Sequence, residues 1–599
     1  MIFPRLAEIE GALSSQNQGH TTFQLAVLRN VTVEGMEPYL RYASMLDGMR
    51  LQLHWGDYDN ILQEASGLGS GAVNGNTQAV LVSLWLAAFS EILSFSFASA
   101  SAQQIADESA RVRAYCAATL RALREQTAAP ILWLGFEQPA WPSNGIVDAN
   151  SPPTGISQRA VIAELNYFVI RELEKAGNAW LVDASLCLER VGSKDFYDWR
   201  YWHIARAPYG RSALAELAGE VHKHLRAETG KVRKCLILDC DNTLWGGIVG
   251  EDGVNGIHIG TGYPGTAYRE FQLEVLNLYN RGVILGLCSK NNYEDVLEVL
   301  HSRSDMVLRE EHFAIMRINW QDKVTNLREI AAELNIGLES IVFIDDSDFE
   351  INLVREALTE VTTLPVPSAR PYEYRDILLR CGWFDTHAIT DEDRSRSKMY
   401  RADAQRKHLA SKITDMGDYL KSLEMQLIVA HVTDAELDRV AQLCQRTNQF
   451  NLTTRRYSHD ELAAHLASPE STLLLMRLSD RFGDYGIVGF CLAINSGSVS
   501  NIDTFLMSCR ALGRGAETAF LALCARKLAE KEASLITGVY RPTKKNGQVS
   551  NFYQRHGFTT VSESETEVTF SLQWVPNLIP VPEIFNIDNN VLNDLNRLA

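Results

Sequence analysis

The sequence predicts an α/β protein built from three successive α/β blocks, and three observations carry that prediction. Short apolar runs of strand length alternate with helix-length amphipathic stretches, the pattern of parallel sheets packed by helices. In the middle of the chain each apolar run ends in polar residues, and a doubly wound sheet carries its site beyond the carboxyl ends of its strands. A proline-rich stretch at 365–372 and a charged helical stretch at 390–423 separate the middle of the chain from its last third.

The first block covers residues 1–230. Strand-like runs lie at 24–28, 79–85, 131–134 and 180–182, with helical patterns at 105–124 and 157–176 between them. The Gly/Ser/Asn-rich stretch 66–77 reads as a loop. The second block covers 231–390. Its apolar runs at 234–238, 282–287 and 340–344 alternate with helical patterns at 267–280, 293–303 and 323–334. Residues 391–423 read as linker and connecting helix. The third block, 424–599, alternates strands and helices again and ends in an extended strap after Pro576.

At roughly 100–200 residues per domain, 599 residues allow three to five domains. The net charge of −17 is spread along the chain, which favours solubility and argues against a general nucleic-acid binder. Ten cysteines form no C-x-x-C pair and no zinc-spaced cluster, as in a cytoplasmic protein with reduced thiols. No secretion signal is expected at the N-terminus. The most apolar run, 79–89, is shorter than the ~20 residues a bilayer requires, so no membrane span is expected.

The chemistry-bearing residues sit at the ends of the middle block's strands. Asp239 and Asp241 lie two apart, so both can face one pocket. One carboxylate can attack phosphorus and the other can exchange protons with leaving group and nucleophile. Thr243 and Ser289 can hydrogen-bond phosphoryl oxygens, and Lys323 can neutralise their charge. A hard cation such as Mg2+ takes few carboxylates plus phosphate and water, and Asp239 and Asp345 supply them. Asp346 is expected no closer than a supporting role. A lone D-x-D is weak, but the ordered set of strand-DxDxT, strand-Ser, Lys and strand-DD is specific. The gaps of about 47 residues from Asp241 to Ser289, and about 33 from Ser289 to Lys323, leave no room for a large cap domain.

That ordered set resembles the haloacid dehalogenase (HAD) superfamily. The resemblance makes Asp239 the nucleophile and Asp241 the acid/base. It makes Ser289 and Lys323 the phosphate binders, and Asp345 and the main-chain oxygen of Asp241 further Mg2+ ligands. Longer strings narrow it: Asp241–Gly247 leading into Val249–Gly253, Arg317–Lys323, Gln445–Leu452 and Asp480–Gly486 are similar to the FkbH-like proteins of polyketide and related natural-product pathways. Such proteins take a D-glyceryl unit from 1,3-bisphosphoglycerate, remove its phosphates and leave it as a thioester on an acyl carrier protein. The resemblance therefore implies a glyceryl transferase and phosphatase, with a phosphatase for a small phosphorylated metabolite as the alternative. A thioester needs a thiol, and Cys240 between the two aspartates either carries the acyl group or packs behind the strand; Cys288 is the rival thiol.

Arg510-Ala511-Leu512-Gly513-Arg514-Gly515 follows a strand-like run and precedes a helical one, and Asn551–Phe558 completes the pattern. Together they resemble the Gcn5-related N-acetyltransferase (GNAT) fold. That resemblance places Arg510, Gly513, Gly515 and Tyr553 along a pantetheine site, to dock a carrier's phosphopantetheine arm, to serve acyl-CoA chemistry, or as a structural remnant. The first block is similar to SGNH hydrolases, but no G-D-S follows its first strand. Asp198 and His203 stand five apart rather than three, so the block reads as a non-catalytic platform with His203 structural.

Overall fold

The computed structural model describes residues 3–14, 21–150, 152, 154–389, 415–447, 449–508, 511–531, 533–543, 546–576 and 578–587. The fold is mixed α/β and contains two all-parallel sheets. The chain divides into two compact units, Met1–Lys234 with Val366–Ala388, and Cys235–Pro365 with Ile389–Ala599. The connecting stretch expected at 391–423 falls largely outside the described residues; its end forms the helix Met416–Ser422.

In the first unit, β1 (Thr21–Arg29), β2 (Met49–Trp55), β3 (Ala79–Ser83), β4 (Ile131–Leu134) and β5 (Ala179–Val182) form a parallel sheet in the order β2-β1-β3-β4-β5. Both faces are covered, so successive residues enter opposite cores. Leu25 and Val27 join one cluster, and Ala26 and Leu28 the other. The apolar run at 79–89 is β3 and the short helix after it, and no helix among the described residues is long and apolar enough to cross a membrane. Helix Ala102–Gln126 starts in a capping box. Ser101 Oγ accepts from the Gln104 N–H at 3.3 Å, and Gln104 Oε1 accepts from the Ser101 N–H at 2.9 Å.

Residues 366–388, expected at the end of the second block, pack within the first unit, and a buried charge cluster explains why. Arg226 Nε bonds Asp47 Oδ2 at 2.9 Å, and Arg226 Nη1 bonds the Gly382 carbonyl at 2.8 Å. The Trp383 ring takes the guanidinium of Arg226 at 3.9 Å and that of Arg233 at 4.6 Å. His387 stacks on Trp180 at 3.7 Å.

In the second unit, β6 (Cys235–Leu238), β7 (Ile284–Ser289), β8 (Phe313–Ile318), β9 (Ile341–Asp345) and β10 (Thr362–Pro365) form a parallel sheet in the order β10-β9-β6-β7-β8. The chain lays β7 and β8 on one side of β6, then β9 and β10 on the other. The carboxyl end of β6 is therefore the switch point, where open α/β sheets bind ligands. Farther along, β11 (Met425–His431), β12 (Ser471–Asp480), β13 (Gly483–Ser496), β14 (Val499–Met507), β15 (Leu535–Tyr540), β16 (Thr559–Glu563), β17 (Val568–Gln573) and β18 (Phe585–Ile587) form a mixed sheet in the order β16-β17-β15-β14-β13-β12-β11-β18. The parallel pairing of β14 with β15 runs only from Val499↔Leu535 to Ile502↔Gly538. Beyond it, Phe450 and Leu452 bond β14 instead: the Leu452 N–H donates to Phe505 O at 3.1 Å and the Met507 N–H to Phe450 O at 2.9 Å.

The first unit also buries Glu137, which accepts from the Tyr209 hydroxyl. Burial pushes its carboxyl up to about 7, against that hydrogen bond. A carboxyl with a raised folded-state pKa binds its proton more tightly folded than unfolded, so its contribution to stability falls as pH rises from about 4.5 to about 7. Denaturant melts across that range are expected to show a loss of about 3 kcal/mol from this group. Glu137→Gln removes that part of the slope, and a variant with the same slope as the natural protein refutes the assignment.

Candidate active site

The site is built at the carboxyl ends of β6, β7 and β9 and the loop after β8. Asp239 follows β6 directly, and its N–H extends the pairing by donating to the Ile344 carbonyl at 3.0 Å. Lys323 is the first residue of helix Lys323–Leu334, whose start is fixed by Asp322 accepting from the Thr325 N–H at 2.8 Å. From there the buried Lys323 Nζ lies 3.1 Å from Asp239 Oδ1 and 2.5 Å from Asp345 Oδ2. Asp345 ends β9, and its other oxygen accepts from the Ser347 N–H at 2.9 Å.

Carboxylate oxygens of Asp239, Asp345 and Asp346 lie within 4.8 Å of one another. Three acids against one ammonium leave negative charge unbalanced, and the protonation states report it. Burial and then the charge of Asp239 push Asp345 up to about 7 and Asp346 up to about 6. Burial pulls Lys323 down, but Asp239 and Asp345 outweigh it and hold the ammonium above the usual lysine range. An all-oxygen set with excess negative charge fits a hard divalent cation. Asp346, expected only as support, is a full member of this group.

Asp241 sits in a different environment. Its Oδ1 accepts from the Trp245 indole at 2.8 Å and the Val249 N–H at 3.1 Å; its Oδ2 accepts from Asn291 Nδ2 at 2.8 Å. Burial pushes its carboxyl up against those donors, and the charge of Asp239 adds to the rise. The turn that separates the two aspartates depends on Asn242. That residue adopts a left-handed φ of 51°, and its Oδ1 accepts from the Gly247 N–H at 2.9 Å. Trp245 lies in a string that the sequence singles out, yet nothing in spacing alone assigns it or Asn291 to Asp241.

Thr243 is fully buried, and its hydroxyl has no hydrogen-bond partner among the described residues. A buried hydroxyl left without a partner is costly, and a phosphoryl oxygen reaching this strand end would satisfy it. Ser289, the last residue of β7, is buried.

The chain is similar in fold to a solved structure that contains a phosphatase domain. That structure is the N-terminal part of a Bacteroides fragilis protein, containing the phosphatase domain complexed with Mg. It is 24% identical, with a TM-score of 0.53 over 64% of this chain and 100% of that one. At this identity the likeness is one of fold. The Escherichia coli ribosomal-protein-S18-alanine N-acetyltransferase is 11% identical over 24% of this chain and 93% of its own, with a TM-score of 0.20. Ard1 from Thermoplasma volcanium is 17% identical over 25% and 98%, with a TM-score of 0.21. No protein-family model matches the sequence, and no curated protein does.

Two expectations are corrected by burial. Cys240 is wholly inaccessible, and burial, then the charge of Asp239, push its thiol well above the ordinary range. Of the two alternatives for this residue, the structure shows the side chain packed behind the strand. Cys288 lies in the sheet core. Tyr553, expected to line a pantetheine site, is 1% exposed in the core of the C-terminal sheet. Its ring lies where a Cβ on Gly538 would stand. Gly513 and Gly515 take the left-handed conformation, with φ of 75° and 78°, ahead of helix Ala516–Ala529; Pro582 and Phe585 from the tail lie against Gly515. Arg510 lies outside the described residues. Asp198 caps the helix Trp199–Ala205 by accepting from the Tyr201 N–H at 3.2 Å, and His203 is exposed.

Mg2+ at a hundredfold its Kd is expected to stabilise the protein by about 2.7 kcal/mol, read as a rise in melting temperature. Asp345→Asn should abolish the rise. Cys240→Ala should keep phosphate release within about tenfold of the natural protein, about 1.4 kcal/mol of barrier; a larger loss returns the thiol to the chemistry.

Proposed function

We propose that this chain is a Mg2+-dependent phosphatase of the HAD type acting in the transfer of a D-glyceryl unit from 1,3-bisphosphoglycerate to the phosphopantetheine thiol of an acyl carrier protein. The observation that carries the phosphatase half is the division of labour between Asp239 and Asp241. Asp239 shares Lys323 with Asp345, beside Asp346, while Asp241 is held apart by three N–H donors.

Asp239 attacks phosphorus, and the bond from phosphorus to the leaving oxygen breaks. Asp241, its carboxyl raised by burial, gives that oxygen its proton. Asp241 then takes a proton from water as the water attacks the aspartyl phosphate. Inorganic phosphate leaves and the Asp239 carboxylate is restored. Lys323, Ser289 and Thr243 hold the non-bridging oxygens through the cycle. Asp239, Asp345, Asp346 and the Asp241 main-chain oxygen would hold Mg2+, which supplies positive charge to the phosphoryl oxygens.

The glyceryl half rests on the strings shared with FkbH-like proteins and on a site with no room for a large cap. The carrier thiol attacks the acyl carbon of the acyl phosphate; a C–S bond forms, the C–O bond to phosphate breaks, and the phosphate leaves with the thiol proton. The phosphate remaining on the glyceryl unit is the one removed at Asp239. The burial of Cys240 favours direct attack by the carrier thiol, and it is also what a phosphatase for a free phosphorylated metabolite would show.

Incubation with 1,3-bisphosphoglycerate, Mg2+ and a phosphopantetheinylated carrier should add a glyceryl mass to the carrier and none to this chain. Asp239→Asn should cut phosphate release by more than about a thousandfold. Phosphate release with no adduct on the carrier leaves the metabolite phosphatase; no phosphate release sinks both readings.

A further inference from the structure

Lys290 and Glu350 form an ion pair that the chemistry at Asp239 leaves unused. Lys290 directly follows Ser289 at the end of β7, and its Nζ lies 2.6 Å from Glu350 Oε1. Glu350 stands in the first turn of helix Asp348–Ala357, which begins just beyond Asp345 and Asp346. Strand β6 lies between β7 and β9, with Leu238 paired to Leu287 on one side and to Ile344 on the other. A pair reaching from the end of β7 to the segment after β9 therefore spans the end of β6, from which Asp239 emerges.

The carboxylate of this pair is largely out of water. Its side chain is 9% exposed, against 35% for Lys290. Glu350 Oε1 meets the ammonium, and Oε2 is buried with no hydrogen-bond partner among the described residues. A carboxylate so buried is tolerable only beside a cation in good geometry, so the pair holds the two segments to one spacing. The core beneath it is shared by the same elements. Cys288 packs with Val324 and Leu327 of the helix that carries Lys323, and with Ile351 and Val354 of the helix that carries Glu350. The ammonium also acts on the third segment of the site. Asp322, which starts the Lys323 helix, is held low chiefly by the Thr325 N–H and hydroxyl, and the charge of Lys290 adds to the fall. One ammonium thus acts on the segments that carry Ser289, Lys323, and Asp345 with Asp346.

We propose that Lys290, through Glu350, is a positioning residue of the phosphoryl-transfer site. It sets the span across β6 at which Ser289 on one side and Asp345 with Asp346 on the other meet a phosphoryl group and a divalent cation at Asp239. The inference rests on the phosphatase reading above and adds to it the contact that fixes the width of the site. A small error in that width is costly, because groups that hold a reacting phosphoryl oxygen lose most of their effect when displaced.

The test uses the full chain, phosphate release from para-nitrophenyl phosphate at saturating Mg2+, and calorimetric titration with Mg2+. Lys290→Met alone strands the Glu350 carboxylate and can unfold the protein for that reason. The double variant Lys290→Met/Glu350→Gln strands no charge and is the deciding one. Its kcat should fall about tenfold with KM within about twofold, and its Mg2+ Kd should rise about tenfold. Lys290→Arg, which keeps a cation facing Glu350, should stay within about threefold of the natural protein in both measurements. A folded double variant with the natural kcat and Mg2+ Kd, even with a lower melting temperature, reduces the pair to a structural one, overturns the positioning role and leaves the phosphatase reading standing. A natural protein that binds Mg2+ and releases no phosphate overturns the phosphatase reading, and the Mg2+ Kd of the double variant then decides the positioning role by itself.

Discussion

Lys323 Nζ between Asp239 and Asp345 is the contact on which the second unit's chemistry depends. Burying a charge costs several kcal/mol unless partners meet it with good geometry. Here one buried ammonium faces three crowded acids, so each group is tolerable only while the others stay put. The three partners come from the end of β6, the start of a helix after β8, and the end of β9. The contact therefore exists only if β6 lies beside β9 with β7 on its other flank, which is the observed strand order. The excess negative charge left over is what makes the cluster fit a divalent cation.

The same turn that exposes Asp239 to this cluster withdraws Asp241 from it. Strand alternation alone would send residues two apart to one face in one environment. The chain instead leaves the strand after Asp239 and passes through the left-handed Asn242, letting Asp241 collect donors from Trp245, Val249 and Asn291. Two identical side chains thereby acquire different surroundings: one is held against a lysine, the other is buried, and that burial raises its carboxyl against the pull of its three donors.

What was legible in the sequence is what strand ends advertise. Asp239, Asp241, Ser289, Lys323 and Asp345 can be read because together they form one ordered set at strand ends and a helix start, where any one alone would be weak. Asp346 is legible only as support, and Asn291 and Trp245 have no assignment in the sequence, because their partners are set by loop geometry, which has no period. The return of residues 366–388 to the first unit was equally hidden. It depends on Arg226 and Arg233 meeting Trp383, 157 and 150 positions away in sequence. Tyr553 and Cys240 were legible as residue types but not as buried ones. Tyr553 was assigned by a motif, and motifs carry no burial. Cys240 was the reverse case, since alternation already pointed it behind the strand and only the chemistry of thioesters argued otherwise.

The burial of Cys240 constrains the chemistry more than the loss of one candidate would suggest. Cys240 and Cys288 are both wholly buried, so phosphoryl chemistry at this strand end would fall to oxygens and one ammonium. The fixing of Asp241 then matters as much as its burial. Asn291 donates to Asp241 Oδ2 at 2.8 Å while its own Oδ1 accepts from the Asn292 N–H at 3.0 Å, and Asn292 Oδ1 accepts from the Trp320 indole at 3.1 Å. Asp241 is thus positioned by a line of neutral groups, each held by the next, and a change at any one of them is felt at the carboxyl.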